Sequence, residues 1–241
     1  MLYRSHRGGV YYTPENTIHA FKDAISLGFD CIETDPCFTK DGKIVLIHDA
    51  TLNRTCRNAD GSVIVASLYH CDLTYDELME YDAGIFKGEK FKGTKIPALE
   101  ELLALAEGTD TVIALDKKIP TDNMEPLFST VEKYSTRVSF SCKDTDRIKT
   151  VLDRFPEALI DYDGNTTEDD LKAVTELVPR EQLIVWLYLD KPNFAWLTDR
   201  YKASCENCER VKKYARLGIA NVNNPYDTIE AISYDPYMLE V

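Results

Sequence analysis

The fold is decided by residues 2–35, which have the sequence LYRSHRGGVYYTPENTIHAFKDAISLGFDCIETD. Apolar runs predict a first strand over Leu2–His6 and a second strand over Asp30–Asp35. Between them, Thr13-Pro14 is typical of a helix start and Gly28 of a helix end. A strand, a helix and a strand in this order form one unit of a parallel sheet.

The same alternation of strands and helices continues along most of the 241 residues. Eight strands are predicted in total, and an α/β barrel of eight parallel strands, the (β/α)8 TIM barrel, typically needs about 250 residues. We therefore expect a single barrel domain over residues 1–241. The six further strands are predicted over Lys43–His48, Thr111–Asp116, Arg137–Ser141, Ala158–Tyr162, Gln182–Leu189 and Ile219–Val222. The later helices are predicted over Leu99–Ala106, Glu125–Tyr134, Asp146–Phe155, Glu168–Val178, Cys205–Leu217 and Tyr226–Ile232.

One stretch, from about residue 50 to 97, breaks this alternation. It has few long periodic runs, and it carries Gly61, Gly84, Gly88 and Gly93. Glycines scattered at this density are typical of turns and loops. The sequence therefore predicts a small insertion after the third predicted strand, folded over one rim of the barrel.

The composition restricts the partners that the protein can have. The chain has 28 lysines and arginines against 41 aspartates and glutamates, a net charge of −13. Such a surface repels nucleic acids and anionic membranes, so we expect no nucleic-acid partner and no stable membrane association. A run of about 18 apolar residues, as a membrane span needs, does not occur. Seven scattered cysteines, an odd number, favour a reducing compartment, and we expect a cytoplasmic location without a secretory leader.

Polar residues follow the predicted strands at the ends where TIM barrels carry their sites. Glu33 and Asp35 lie two apart on one strand, so both side chains point to the same face. Two carboxylates this close repel each other unless a cation lies between them. With Asp116 from another strand end, they form a candidate site for one divalent cation, Mg²⁺ or Ca²⁺, with Mn²⁺ also suitable. The alternative is a strand end with two solvated acids.

Five more polar residues accompany these carboxylates. His6 and His48 end the strands on either side of the carboxylate strand, and histidine titrates near neutrality, so the pair is suited to acid and base catalysis. The alternative is that they are structural histidines held by backbone bonds. Arg7 and Lys118 are candidate phosphate ligands, because guanidinium and ammonium groups bind phosphate oxygens. Asn16, near a helix start, is a candidate donor to the same oxygens.

These residues lie in motifs that resemble the glycerophosphodiester phosphodiesterase family. The resemblance is dense over the first hundred residues, and beyond them it rests mainly on architecture. The matching motifs are HRGG at 6–9, PENT at 14–17, GFDCIETD at 28–35, TKDG at 39–42, HDATLNRT at 48–55 and IPALEELL at 96–103.

The resemblance implies a TIM barrel with a small insertion after the third strand. It also implies a metal-dependent hydrolase that converts glycerophosphodiesters into sn-glycerol 3-phosphate and an alcohol, within lipid metabolism. Carried over by position, His6 and His48 are the general acid and base, and Glu33 and Asp35 are metal ligands. Arg7 contacts the substrate phosphate. The sequence leaves open the alcohol, the preferred metal and the oligomeric state.

Two positions depart from the family pattern. Where the family has Glu-x-Lys, this chain has Asp116-Lys117-Lys118, so the third metal ligand has a shorter side chain and Lys118 keeps its place. In the seventh strand the chain retains the aromatic residue, Trp186, as a candidate substrate contact, but it lacks the threonine and asparagine that accompany it in the family.

Two alternatives to the hydrolase remain. One is a phospholipase-D-like lyase that uses the same site and stops at a cyclic phosphate. For the hydrolase itself, the nucleophile is either water or the substrate's own glycerol 2-hydroxyl, which gives a cyclic phosphate that is then hydrolysed, and the sequence does not decide between these two. The other is a barrel that binds phosphoesters without turnover.

Overall fold

The structure, a computed structural model, describes residues 1–191 and 197–241. Eight of its strands close into a barrel in the order β1-β10-β9-β8-β7-β6-β5-β2, and the remaining two, β3 and β4, form a separate sheet. The predicted fold class, a TIM barrel, is therefore confirmed. The strands are β1 (Leu2–Ser5), β2 (Cys31–Thr34), β3 (Pro36–Phe38), β4 (Ile44–Leu46), β5 (Val112–Leu115), β6 (Val138–Cys142), β7 (Leu159–Tyr162), β8 (Leu183–Tyr188), β9 (Arg216–Ala220) and β10 (Met238–Glu240).

The third predicted strand, Lys43–His48, is not a barrel strand, and that part of the prediction was wrong. Its central part is β4, which pairs antiparallel with β3 so that Pro36 faces Leu46 and Phe38 faces Ile44. Residues 39–42 form the turn that closes this hairpin, in which the Gly42 N–H donates to the Thr39 carbonyl at 3.0 Å.

The eighth barrel strand is β10, which the sequence analysis missed. It pairs parallel with β1, with Leu2 opposite Met238, and on its other side with β9. A three-residue strand shows less than two periods of alternation, and this is too short for a pattern to emerge.

Eight helices accompany the strands in the described residues. The first begins at Ile18 rather than at Pro14, because Thr17 is its N-cap and accepts the Ala20 N–H at 3.3 Å. Residues 13–16 therefore form a loop. The helices are α1 (Ile18–Ser26), α2 (Tyr75–Leu78), α3 (Leu99–Ala106), α4 (Glu125–Val131), α5 (Thr145–Arg154), α6 (Glu168–Thr175), α7 (Cys205–Tyr214) and α8 (Pro225–Ser233). None of the helices in the described parts of the chain is long and apolar enough to cross a membrane.

The chain forms two compact units. One consists of Met1–Arg4 and Val138–Val241, and the other of Ser5–Arg137. The expectation of a single domain over residues 1–241 stays a prediction. Every predicted site residue except Trp186 belongs to the unit Ser5–Arg137, so the candidate site lies within this unit.

The predicted insertion has its own small apolar core, formed with the β3–β4 hairpin. Asp82, only 4% exposed, organises the loop beside this core. Its carboxylate accepts the N–H groups of Gly84 at 2.8 Å, Ile85 at 2.9 Å and Gly93 at 2.6 Å. Burial acts to raise the pKa of Asp82, but these backbone donors outweigh it and the pKa is lowered. The core residues are Cys37, Val45, Ile47, Leu52, Cys56, Ile64, Leu78, Ala83 and Ile96.

We expect Asp82→Ala to lower the free energy of unfolding by about 3 kcal/mol at pH 7, because three backbone donors lose a charged acceptor. Since the folded pKa of Asp82 lies below its unfolded value of about 3.9, this contribution is complete above the unfolded pKa. It is lost as the pH falls through the folded pKa. Urea unfolding of both proteins at pH 7 and at acidic pH measures it. The exposed Asp76→Ala is the control, and an equal loss in both variants contradicts the prediction.

Candidate functional site

The segment after β1 brings His6 and Arg7 to β2. Residues His6–Gly8 form a 3₁₀ turn in which Arg7 has a left-handed backbone, with φ 52°. The Arg7 N–H donates to Glu33 Oε2 at 3.0 Å. Gly8 has φ +80°, and a Cβ there would lie 2.8 Å from the side chains of Ala20 and Phe21 on α1. The turn therefore requires glycine at this position, and it fixes the two preceding polar residues.

Asp35 is the centre of the site. Its side chain is 1% exposed, and it directly follows β2, which carries Glu33. The Asn16 Nδ2 donates to Asp35 Oδ2 at 2.8 Å, and Arg7 Nε lies 3.4 Å from the same oxygen. The Lys118 ammonium lies 3.6 Å from Oδ1. One buried carboxylate is thus surrounded by a guanidinium, an ammonium and an amide.

Asn16 is held for this contact by two further bonds. Its side-chain oxygen accepts the Thr34 hydroxyl at 2.7 Å, and its backbone N–H donates to the Arg7 carbonyl at 2.9 Å. Its backbone is left-handed, with φ 53°, a conformation that asparagine adopts more readily than most residues. Asn16 therefore lies beside Asp35 and supports it, and its predicted contact with a substrate phosphate stays a prediction.

The other acidic candidates lie on neighbouring strand ends. The His6 Nε2 is 3.9 Å from Glu33 Oε2. Asp116 directly follows β5, which pairs with β2, and its N–H donates to the Thr34 carbonyl at 2.9 Å. The Lys117 ammonium lies 3.5 Å from Asp116 Oδ1. Burial acts to raise the pKa of Asp116, but the charges of Lys117 and Lys118 outweigh it and lower the pKa.

Within the described residues, no group of three Asp, Glu, His or Cys side chains is placed to hold one metal ion. The three predicted ligands nonetheless have the chemistry that a hard divalent cation requires, since all are carboxylates from adjoining strand ends. Lysine and arginine groups lie against Asp35 and Asp116 instead. The donor set therefore fits such a cation, which would compete with these groups for the same oxygens.

His48 reaches the site from the hairpin rather than from a barrel strand. It lies two residues after β4, and the intervening Ile47 N–H donates to the Asp35 carbonyl at 3.0 Å. The His48 Nδ1 is 2.7 Å from Asp49 Oδ1, and its side chain is 35% exposed. His48, Glu15 and Asn16 line one small cleft. Both predicted histidines thus belong to the unit that holds the buried carboxylates.

Three residues at this site were not identified from the sequence: Glu15, Asp49 and Arg54. The Arg54 guanidinium bonds both carboxylates, and Glu15 also accepts from Arg7 at 2.8 Å. All three lie inside the quoted motifs PENT and HDATLNRT. Their presence in those motifs was therefore the available signal. Spacing could not reveal the contact between Arg54 and Glu15, because these two residues are 39 apart in sequence.

Trp186 does not offer a face to a substrate. It belongs to the unit of Met1–Arg4 and Val138–Val241, and it is 1% exposed. Its indole N–H donates to Asp161 Oδ1 at 2.7 Å, and the Arg4 guanidinium lies 3.4 Å from the ring centroid. A Cβ on Gly218 would lie 2.6 Å from the ring. Because the ring is enclosed on these sides, Trp186 fills the interior of its unit, and the expected substrate contact is not supported.

Residues 6–162 match the model of the Glycerophosphoryl diester phosphodiesterase family. This range is more than half of the chain, and it contains all the residues gathered around Asp35. The chain belongs to this family. Trp186, the retained aromatic residue of a strand that otherwise departs from the family pattern, lies outside the matched range.

Named relatives agree with the family assignment. A glycerophosphodiester phosphodiesterase of Caldanaerobacter subterraneus is 45% identical over 114 residues, which are 47% of this chain and 44% of the relative. The match thus spans less than half the length of that relative. Human glycerophosphodiester phosphodiesterase 1 is 28% identical over an alignment that covers 95% of this chain and 73% of the human protein.

A solved structure supports the fold. A phosphodiesterase of Oleispira antarctica, in complex with the product sn-glycerol-3-phosphate, superposes with a TM-score of 0.77 at 16% identity. The superposition covers 100% of this chain and 92% of the other. At this identity the likeness establishes the barrel fold alone and carries no residue roles.

We expect Asn16→Ala to lower the free energy of unfolding by about 2–4 kcal/mol, since two side-chain hydrogen bonds are lost and alanine is strained at positive φ. Asn16→Gly is the matched control, because it loses the same bonds but tolerates the backbone. Its loss should be smaller by about 1 kcal/mol. Urea unfolding compares them, and equal losses in the two variants would contradict the backbone part of the argument.

Proposed function

We propose that this protein hydrolyses glycerophosphodiesters to sn-glycerol 3-phosphate and an alcohol. The observation that carries the proposal is the convergence of Arg7, Lys118 and Asn16 on the buried carboxylate of Asp35. His6 stands beside Glu33, and membership of the family agrees with this chemistry.

Arg7 and Lys118 bind the substrate phosphate. Their side chains are 14% and 28% exposed, so both remain accessible while their charged groups stay near Asp35. Guanidinium presents a fork that matches phosphate oxygens, and ammonium supplies a compact charge. On a protein of net charge −13, an anionic substrate requires such local cations.

Glu33, Asp35 and Asp116 are the residues that would hold one divalent cation, Mg²⁺ or Ca²⁺, with Mn²⁺ as a further candidate. A cation bound there supplies positive charge to the phosphate oxygens as negative charge develops on them. The support for this part is the chemistry of the three donors and their adjoining strand ends.

His6 and His48 transfer the protons. One removes a proton from the nucleophile, and the other donates a proton to the leaving alcohol oxygen, a division of labour suited to imidazoles near neutral pH. Asp49 at His48 Nδ1 favours the tautomer in which that nitrogen donates, and this leaves Nε2 to exchange a proton with the substrate. The nucleophile is water or the glycerol 2-hydroxyl.

Three expectations from the sequence stay predictions. They are that the protein has no nucleic-acid partner, that it does not associate stably with membranes, and that it is cytoplasmic.

The proposed activity is tested by glycerol 3-phosphate release from a panel of glycerophosphodiesters. We expect EDTA to abolish release and Mg²⁺, Ca²⁺ or Mn²⁺ to restore it, because carboxylate ligands hold such ions reversibly. Phosphorus NMR of the same samples reveals any cyclic phosphate. A stable cyclic product identifies the phospholipase-D-like lyase, and binding without any product identifies a non-catalytic barrel.

Replacing either histidine separates catalysis from folding. We expect His6→Ala and His48→Ala each to reduce turnover by on the order of 10²–10⁴-fold, since each removes one proton-transfer group. His19→Ala is the control, because His19 is an exposed histidine on α1. Circular dichroism checks that the variants stay folded. Near-normal turnover in either variant at the site would remove that histidine from the mechanism.

A further inference from the structure

Arg54 bridges two carboxylates with both edges of its guanidinium. Toward Glu15, Nη1 donates to Oε2 and Nη2 to Oε1, each at 2.7 Å. Toward Asp49, Nε donates to Oδ2 at 2.6 Å and Nη2 to Oδ1 at 3.0 Å. Both contacts are bidentate, the arrangement in which a planar guanidinium is most selective for carboxylate.

Each of these carboxylates also contacts a proposed functional residue. Asp49 holds His48 Nδ1 at 2.7 Å, and Glu15 accepts from Arg7 Nη1 at 2.8 Å. The five side chains therefore form one continuous chain of hydrogen bonds, Arg7–Glu15–Arg54–Asp49–His48. It connects Arg7, a proposed phosphate ligand, to His48, a proposed proton-transfer group, and it does not include the buried carboxylates on or directly after β2.

Both carboxylates of this chain carry charge across the neutral pH range. The hydrogen bond from Arg54 is the main cause that lowers the pKa of Asp49 to about 2. Burial acts to raise the pKa of Glu15, but the bonds and charges of Arg54 and Arg7 outweigh it, and the pKa is about 2. Since both groups are ionised, Arg54 is held from two sides.

A purely stabilising surface ion pair is the alternative, since Arg54 is 47% exposed. Exposed pairs contribute little to stability, and screening weakens them further. A surface pair does not, however, require a fork that serves two carboxylates at once. Glu15 is only 10% exposed and lines the same cleft as His48, so one end of the bridge lies inside the site.

We propose that Arg54 is a positioning residue that sets the orientation of His48 through Asp49 and of Arg7 through Glu15. The inference rests on the proposed phosphodiesterase function. It assigns the insertion, which carries Arg54, an indirect influence on both proton transfer and phosphate binding. Lysine cannot replace arginine in this role, because an ammonium has no planar fork with which to engage two carboxylates.

The two branches make separable predictions for the kinetics of glycerophosphodiester hydrolysis. Asp49→Asn should lower kcat with little change in KM, and Glu15→Gln should raise KM with little change in kcat. Arg54→Met should both lower kcat and raise KM, each by about tenfold, which is typical of the loss of a residue that orients a functional side chain. Arg54→Lys should resemble Arg54→Met. If the Arg54→Lys variant instead has the wild-type kcat and KM, only the positive charge at this position matters, and the proposal is overturned.

The matched control is Arg57→Met, which removes an arginine from the same segment. Arg57 Nη1 donates to the backbone carbonyls of Asn53, Arg54 and Cys56 rather than to a carboxylate. We expect its kcat and KM to equal those of the wild type. If both arginine variants lose activity and stability to the same extent, the role of Arg54 is structural and the proposal fails.

An independent readout separates this inference from the proposed function. Proton–nitrogen NMR of the full chain, with His48→Ala for assignment, detects the His48 Nδ1–H proton that is bonded to Asp49. Its signal should disappear in Asp49→Asn, exchange faster in Arg54→Met and remain in Arg57→Met. These results would support the bridge even if no glycerophosphodiester is hydrolysed. A signal unchanged in Arg54→Met would overturn it even in an active enzyme.

Discussion

The site depends on the burial of one negative charge. A carboxylate that is 1% exposed is costly unless charged or polar donors surround it, and Asp35 meets this requirement with groups from three separate segments. Arg7 comes from the turn after β1, Asn16 from the loop before α1, and Lys118 from the segment after β5. In each of these segments the backbone therefore has to turn, or leave its strand, at a particular residue so that the side chain reaches Asp35. The need to surround this single carboxylate with donors explains why the HRGG and PENT segments, which are close in sequence, both form turns or loops instead of regular strand or helix.

The same requirement explains how a strongly acidic protein can attract an anion. Most of the surface repels phosphate, yet the groups that neutralise Asp35 are cations with part of their side chains still exposed. A buried acid thus concentrates positive charge at the one place where the proposed chemistry needs it. A divalent cation held by the proposed carboxylate ligands would compete with these cationic side chains for the same oxygens, so metal binding and the availability of the proposed phosphate ligands would be linked.

The parts of this arrangement that were predictable from the sequence are those set by local spacing. Glu33 and Asp35 share a face because strand side chains alternate, and Asp116 adjoins them because parallel strands end at one edge. The hairpin was misassigned because the apolar run of four residues, Ile44–Ile47, does not reveal whether its partner strand is parallel or antiparallel. Arg54 and Glu15 are 39 residues apart, and only the tertiary fold brings such a pair together. Trp186 shows a different ambiguity. An aromatic residue near a strand end can either contact a substrate or pack in the protein interior, and its place in the sequence does not distinguish these roles.

The pairing of β1 with β10 sets the order in which this fold can be completed. Leu2 lies opposite Met238 and Arg4 opposite Glu240, so β1 cannot pair with β10 until all the residues between them have been synthesised. Contacts with so large a separation along the chain are slow to form, because the closure of a long loop must precede any gain from them. The unit Ser5–Arg137, in contrast, is contiguous and is entirely synthesised before Val138 appears. During translation, the surroundings of Asp35 can therefore assemble well before the ring of strands is closed.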